Sequence, residues 1–105
     1  MEFPQNPLLF DPEGMDRSEV LALYEKLLLP RMIEEKMLSQ LRQGKISKWF
    51  SGIGQEAISV GVGAAMPSED WILPMHRNLG VFTARGIPLD RLFAQFKGKD
   101  HGFTK

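Results

Sequence analysis

Gly52-Ile53-Gly54-Gln55-Glu56-Ala57 reads as G-x-G-x-x-A. That is close to the fingerprint with which a βαβ unit holds a dinucleotide pyrophosphate, using a tight glycine turn and the N–H groups of a helix start. A second candidate lies downstream. His76-Arg77 directly follows the apolar run Trp71-Ile72-Leu73-Pro74-Met75 and precedes a helical stretch. Open α/β sheets place their ligands where a strand hands over to a helix. A guanidinium there meets phosphate oxygens bidentately, a histidine adds a donor, and N–H groups of the following helix assist an anion.

The two candidates are not equal. A dinucleotide site needs an acidic residue at the end of its second strand to hold the ribose hydroxyls. Here Glu69 and Asp70 come before the 71–75 run, and His76-Arg77 follows it. The glycines fit better as a tight turn leading into a closely packed helix. His76-Arg77 keeps a plain alternative, a capping histidine beside a surface arginine. Phe50 with Trp49 suits a pocket wall or a core, and Gln55 and Glu56 suit a ligand contact or a polar first helical turn. Glu34, Glu35, Lys36, Arg42 and Lys45 read as a solvated helix face, and His101 has no evident partner in the terminal loop. The six methionines are core filler and an initiator. No metal-ligating constellation is present.

Composition narrows the classes further. Thirteen basic and thirteen acidic residues cancel, so no global field points to nucleic acid or a membrane surface. The absence of cysteine excludes a disulfide framework, a zinc knuckle and a thiol nucleophile. No apolar stretch is long enough to span a bilayer, and the opening residues resemble neither a secretory nor a transit peptide. A cytoplasmic protein is the expectation.

The elements that must position these residues follow from periodicity. Residues 1–15, rich in proline, read as an extended arm. Asp16-x-x-Glu19 is a capping-box pattern opening a helix to about Gln43, with Pro30 expected to kink or break it near Leu28–Pro30 and Gly44 placed to end it. Residues 46–51 read as a strand or extended segment and 71–75 as a short strand that Pro74 ends or places at an edge. Between them, Gln55 to Ala65 reads as a helix that glycine at 61 and 63 weakens by roughly 1 kcal/mol each. It has almost no polar face, so it should be buried on most sides, which asks for a larger assembly than 105 residues provide. Leu79 to Arg85 reads as a helix stopped by Gly86. A last helix starts at Pro88, with Leu89, Leu92, Phe93 and Phe96 on one face and Gly98 beyond its end. KGKDHGFTK reads as a loop with no closing element, which suggests part of a longer chain.

In this order, EEKMLSQLRQGKI, GIGQEAISVGVGAAM, WILPMHRNLG and ARGIPLDRLFAQFKGK resemble a known family. From about residue 17 to the end the chain is similar to the amino-terminal part of the α subunit, or α half, of thiamin-diphosphate-dependent 2-oxo acid dehydrogenases, the E1 component. The resemblance implies an α/β thiamin-diphosphate-binding fold, of which residues 16–105 would be the mostly helical amino-terminal part with one or two short strands. It implies thiamin diphosphate at an interface with an E1 β subunit or fused β half. It also implies self-association of α in a heterotetramer, acyl transfer to a lipoyl group of E2, and magnesium held by residues beyond 105. By the same resemblance Arg77 contacts the diphosphate. His76 stands where the family usually has tyrosine and retains a donor. Phe50 falls near a substrate position where pyruvate enzymes carry histidine, so it favours the branched-chain, 2-oxoisovalerate type. Such a piece is expected to be inactive by itself. Two other classes stay open: a non-catalytic helical module exposing the Leu/Met stripe of residues 20–41, and a small dinucleotide-binding domain.

Overall fold

The computed structural model of the protein describes residue 11 and residues 13–104. Most of the expected 1–15 arm therefore lies outside the described residues. Four helices follow one another: α1 (Arg17–Arg42), α2 (Glu56–Ala65), α3 (Leu79–Ala84) and α4 (Leu89–Phe96). None is long and apolar enough to cross a membrane.

The carboxyl-terminal half of α1 is amphipathic in the sense that matters for the core. Pro30, Ile33, Glu34 and Met37 are its buried residues, spaced as one stripe. Ile33 and Met37 join Leu79 of α3 and Leu92 of α4 in the central cluster, with Trp49, Phe93 and Phe96 packed around it. Edge-on aromatic contacts tie the loop before α2 to α4, with the Trp49 and Phe96 ring centroids 4.8 Å apart. Off this stripe, Leu21, Tyr24, Leu28 and Met32 of α1 are exposed.

Three helices end the same way. Gly44, Gly86 and Gly98 take positive φ just past α1, α3 and α4. After α1, the Gly44 N–H reaches the Leu41 carbonyl (3.1 Å) and the Lys45 N–H reaches that of Gln40 (2.9 Å). This pairing satisfies carbonyls that the helix itself leaves open, and glycine adopts the required conformation without Cβ strain. Gly86 with Ile87, and Gly98 with Lys99, repeat the pattern.

α2 and α3 pack backbone to backbone. A Cβ added at Gly80 would lie 2.7 Å from Val60 Cγ2, and one at Gly63 would lie 3.0 Å from both the Ala84 Cβ and the Val81 carbonyl oxygen. The glycines of α2 thus trade helix propensity for close approach.

Several expectations are corrected. Of the kink or break expected near Leu28–Pro30, the break is absent: the helix is continuous through Pro30. Proline removes one backbone bond, while Pro30 itself and the buried Ile33, Glu34 and Met37 that follow it pack the helix onto the core. Asp16 is the N-cap but makes no side-chain cap bond; its carboxylate accepts from the Ser18 hydroxyl instead. Neither 46–51 nor 71–75 is a strand, and among the described residues there is no strand at all. A strand exists through a partner's hydrogen bonds, and none is offered to either segment. Residues 71–75 keep only the alternation of one, with Trp71, Leu73 and Met75 exposed and Ile72 and Pro74 half-buried. Finally, α2 buries one face through Ser59, Val60 and Gly63, while Ile58 is 71% exposed and Val62 49%. The expected burial on most sides is not reached among the described residues.

The α2–α3 crossing gives a paired test. Gly80→Ala should destabilise the protein by about 1–3 kcal/mol through overpacking. Gly61→Ala, where an added Cβ meets nothing within 4 Å, should stabilise it by up to about 1 kcal/mol. Urea unfolding measures both; equal effects of the two substitutions would contradict the packing described.

Candidate functional site

The loop from Trp49 to Gln55 joins two helices through carboxylates. The Gly52 N–H donates to Glu34 Oε1 (2.8 Å), the Ile53 N–H to Ser51 Oγ (3.2 Å) and the Gly54 N–H to Glu56 Oε2 (2.8 Å). The Gln55 N–H closes the turn on the Gly52 carbonyl (3.0 Å). The loop amides from Gly52 to Gln55 are all satisfied, two of them by anionic groups. A phosphate arriving here would have to displace carboxylates and then sit beside them, against Coulomb repulsion. The G-x-G-x-x-A stretch is a joint rather than an anion cradle. Gly52 also packs so tightly on the Arg77 carbonyl that a Cβ there would overlap it.

Glu34 does not belong to a solvated face. It is 2% exposed, and its second oxygen accepts from the Trp49 indole Nε1 at 2.7 Å. The reason is register: position 34 shares the buried stripe of positions 30, 33 and 37. That spacing is visible in the sequence; what is not visible is the indole and amide that make burial of a carboxylate tolerable. Glu56 is likewise more than a polar first turn. Arg31 grips it with Nε to Oε1 (2.6 Å) and Nη2 to Oε2 (3.1 Å). The Arg31 hydrogen bond holds the Glu56 carboxyl below its ordinary range, against the opposing effect of burial.

On the other side of this joint is a cavity of about 600 Å³ lined mostly by apolar side chains, including Trp49, Leu79, Phe82, Ile87, Leu92 and Phe96. Phe50 and His76 share its wall, their rings edge to face at 4.9 Å. Lys48 and Gln95 add polar groups. Two residues singled out from the sequence are therefore brought together. Arg77, the third, is exposed and is not among the lining residues. Neither ion pair among the described residues involves it. Asn78, which caps α3, turns its side chain to the Met75 N–H (2.9 Å) and so closes the turn that carries His76 and Arg77.

His101 is not partnerless as expected. It meets Asp90 at 2.8 Å, and that contact holds the exposed Asp90 carboxyl below its usual range. Nearby, the Phe103 and Thr104 N–H groups both donate to Gln95 Oε1, and Arg91 lies over the Phe103 ring, so the terminal loop folds back on α4. Among the described residues no group of three His, Cys, Asp or Glu side chains is placed to hold a metal ion.

Comparison with known proteins gives a consistent answer. The family model described as "Dehydrogenase E1 component" matches residues 24–105. The 3-methyl-2-oxobutanoate dehydrogenase subunit alpha of Mycobacterium tuberculosis is 35% identical over 80 residues, which is 76% of this chain and 22% of that protein. The pyruvate dehydrogenase E1 component subunit alpha of Acholeplasma laidlawii is 33% identical over 91 residues, 87% of this chain and 26% of its own. The 2-oxoisovalerate dehydrogenase subunit alpha of Bacillus subtilis is 40% identical over 75 residues, 70% and 23% respectively. The chain thus spans about a quarter of the length of the relatives it matches. No solved structure matches it.

The Arg31–Glu56 pair predicts a pH dependence. A carboxyl lowered in the folded state contributes stability above its ordinary value, 4.5 for glutamate, and loses that contribution as pH falls through the lowered value. Arg31→Met should therefore destabilise the protein at neutral pH, and its difference from wild type should shrink as pH drops below 4.5. Denaturant unfolding across that range checks it; a pH-independent difference would show that the pair contributes through packing alone.

Proposed function

Because this chain belongs to the dehydrogenase E1 component family, we propose that it forms the amino-terminal part of the cofactor-binding region of a 2-oxo acid dehydrogenase E1 α subunit. In this reading Arg77 grips the diphosphate of thiamin diphosphate, His76 donates a further hydrogen bond, and Phe50 forms a wall beside the acyl chain of the substrate. The observation that carries it is the contrast between the two candidate anion sites. The glycine-loop amides are spent on Glu34 and Glu56, whereas Arg77 stands exposed, outside both ion pairs, next to a histidine on a cavity wall.

These residues suit a diphosphate. A planar guanidinium offers two parallel donors to phosphate oxygens, and no described carboxylate neutralises it. Magnesium has no ligand set among the described residues, so its ligands would come from elsewhere in the protein. When bound, the cofactor supplies the carbon nucleophile and the electron sink that decarboxylation of a 2-oxo acid needs. This chain would bind and orient. Arg77 fixes the charged end, and Phe50 with the apolar cavity behind it excludes water from the acyl side. Among the relatives, the names divide between pyruvate and branched-chain enzymes. Phe50 in an apolar wall favours a branched acyl group, as in 2-oxoisovalerate. An E1 β subunit or fused β half would complete the site, and the acyl group would pass to a lipoyl group of E2. The exposed Leu21, Tyr24, Leu28 and Met32 of α1 offer a surface for association between α chains.

In the assembled enzyme, Arg77→Ala should raise the thiamin diphosphate concentration needed for half-saturation by about ten- to a hundredfold, the equivalent of about 1.5–3 kcal/mol for a hydrogen bond to a charged group. Isothermal titration of the cofactor into wild type and variant measures this. Equal affinities would remove Arg77 from the site.

A further inference from the structure

We propose that Glu34 is the positioning residue of this site: its buried carboxylate sets the segment from Trp49 to Gly52 and thereby aims Phe50 at His76. The inference rests on the functional reading above for its catalytic consequence, but not for its geometry.

The carboxylate is itself buried and held at both oxygens. It projects from the core stripe of α1 beside Ile33 and Met37, which are 4% and 0% exposed. Each of its oxygens has one task. Oε2 takes the Trp49 indole N–H at 2.7 Å and Oε1 takes the Gly52 N–H at 2.8 Å. Phe50 lies between those two fixed points and is itself 55% exposed, outside the buried core. What it meets is the His76 ring, edge to face at 4.9 Å.

The same carboxylate reaches the other residues of the site by two routes. Through Gly52 it sets the 76–77 backbone, because the Arg77 carbonyl lies where a Gly52 side chain would have to be. Through Trp49 it sets the cavity wall, since the indole stands against Phe96 of α4. One acidic side chain thus fixes the loop end, the histidine turn and the far wall in a common frame. A site whose reacting groups must be held to a fraction of an ångström needs such support behind it. Leucine at position 34 would fill the stripe equally well but could accept neither hydrogen bond.

Glu34→Gln keeps the shape but must turn an amide NH₂ toward one of the two donors. Nuclear magnetic resonance of the chain is the first readout, with Phe50→Ala fixing the His76 ring-proton shift that lacks the aromatic neighbour. Glu34→Gln should move the Gly52 amide and Trp49 indole signals and carry the His76 ring protons toward the Phe50→Ala value. In the assembled enzyme, KM for the 2-oxo acid should rise about tenfold or more, with kcat within about twofold. Should Glu34→Gln fail to fold, Trp49→Phe removes one donor while sparing the Gly52 bond, and should produce a smaller shift of the same sign. The proposal is overturned if the folded variants leave the His76 ring protons at their wild-type position, or if KM stays unchanged while stability falls. If wild type binds no thiamin diphosphate, the functional reading fails, and the His76 shifts still decide whether Glu34 aims Phe50.

Discussion

Two hydrogen bonds from glycine amides to carboxylates organise the centre of this chain. Gly52 donates to Glu34 of α1 and Gly54 to Glu56 of α2. Each bond solves a problem for both partners. A buried carboxylate is costly unless its oxygens are satisfied, and a tight loop leaves amide N–H groups without a helical or sheet partner. Joining them closes both accounts and locks the loop to two helices at once. Arg31 then grips Glu56 from α1, so α1 holds the loop through Glu34 and holds the start of α2 through the ion pair.

This constraint decides the meaning of the glycines. In a dinucleotide fold the amides of such a loop point outward to an anion. Here they point inward to acids, and the glycines at 52, 63 and 80 admit neighbouring atoms rather than a ligand. In the reading proposed above, a diphosphate meets the Arg77 guanidinium instead, on the segment whose Arg77 carbonyl packs against Gly52. The same residue types therefore support opposite conclusions depending on what lies opposite them, which is a property of the fold and not of the motif.

The helices were legible in the sequence because their signals are local. Apolar spacing along 17–42 and 89–96 and the glycines at 44, 86 and 98 mark both extent and ends, and the carboxyl-terminal glycine turns form as their chemistry requires. The strand at 71–75, and the strand or extended segment at 46–51, rest on composition alone, which registers β preference but not a pairing partner. Trp71, Leu73 and Ile58, all largely exposed, show how much apolar surface the described residues leave uncovered. Phe50 and His76 stand out separately in the sequence, and the structure sets them ring to ring. Glu34 does not. Its neighbours in sequence are charged, and only its place on the 30–33–37 stripe distinguishes it from Glu35, which is exposed. Likewise the Arg31–Glu56 and Asp90–His101 pairs join residues 25 and 11 positions apart, beyond the reach of any helical periodicity.

The account turns on where a diphosphate meets this chain. Titrating inorganic pyrophosphate while following backbone amide and arginine Nε resonances locates the contact residue by residue. The account predicts movement at His76 and Arg77, with the Gly52 and Gly54 amides unchanged because their carboxylate partners retain them. Movement centred on Gly52 to Gln55 instead, with Arg77 silent, would contradict it.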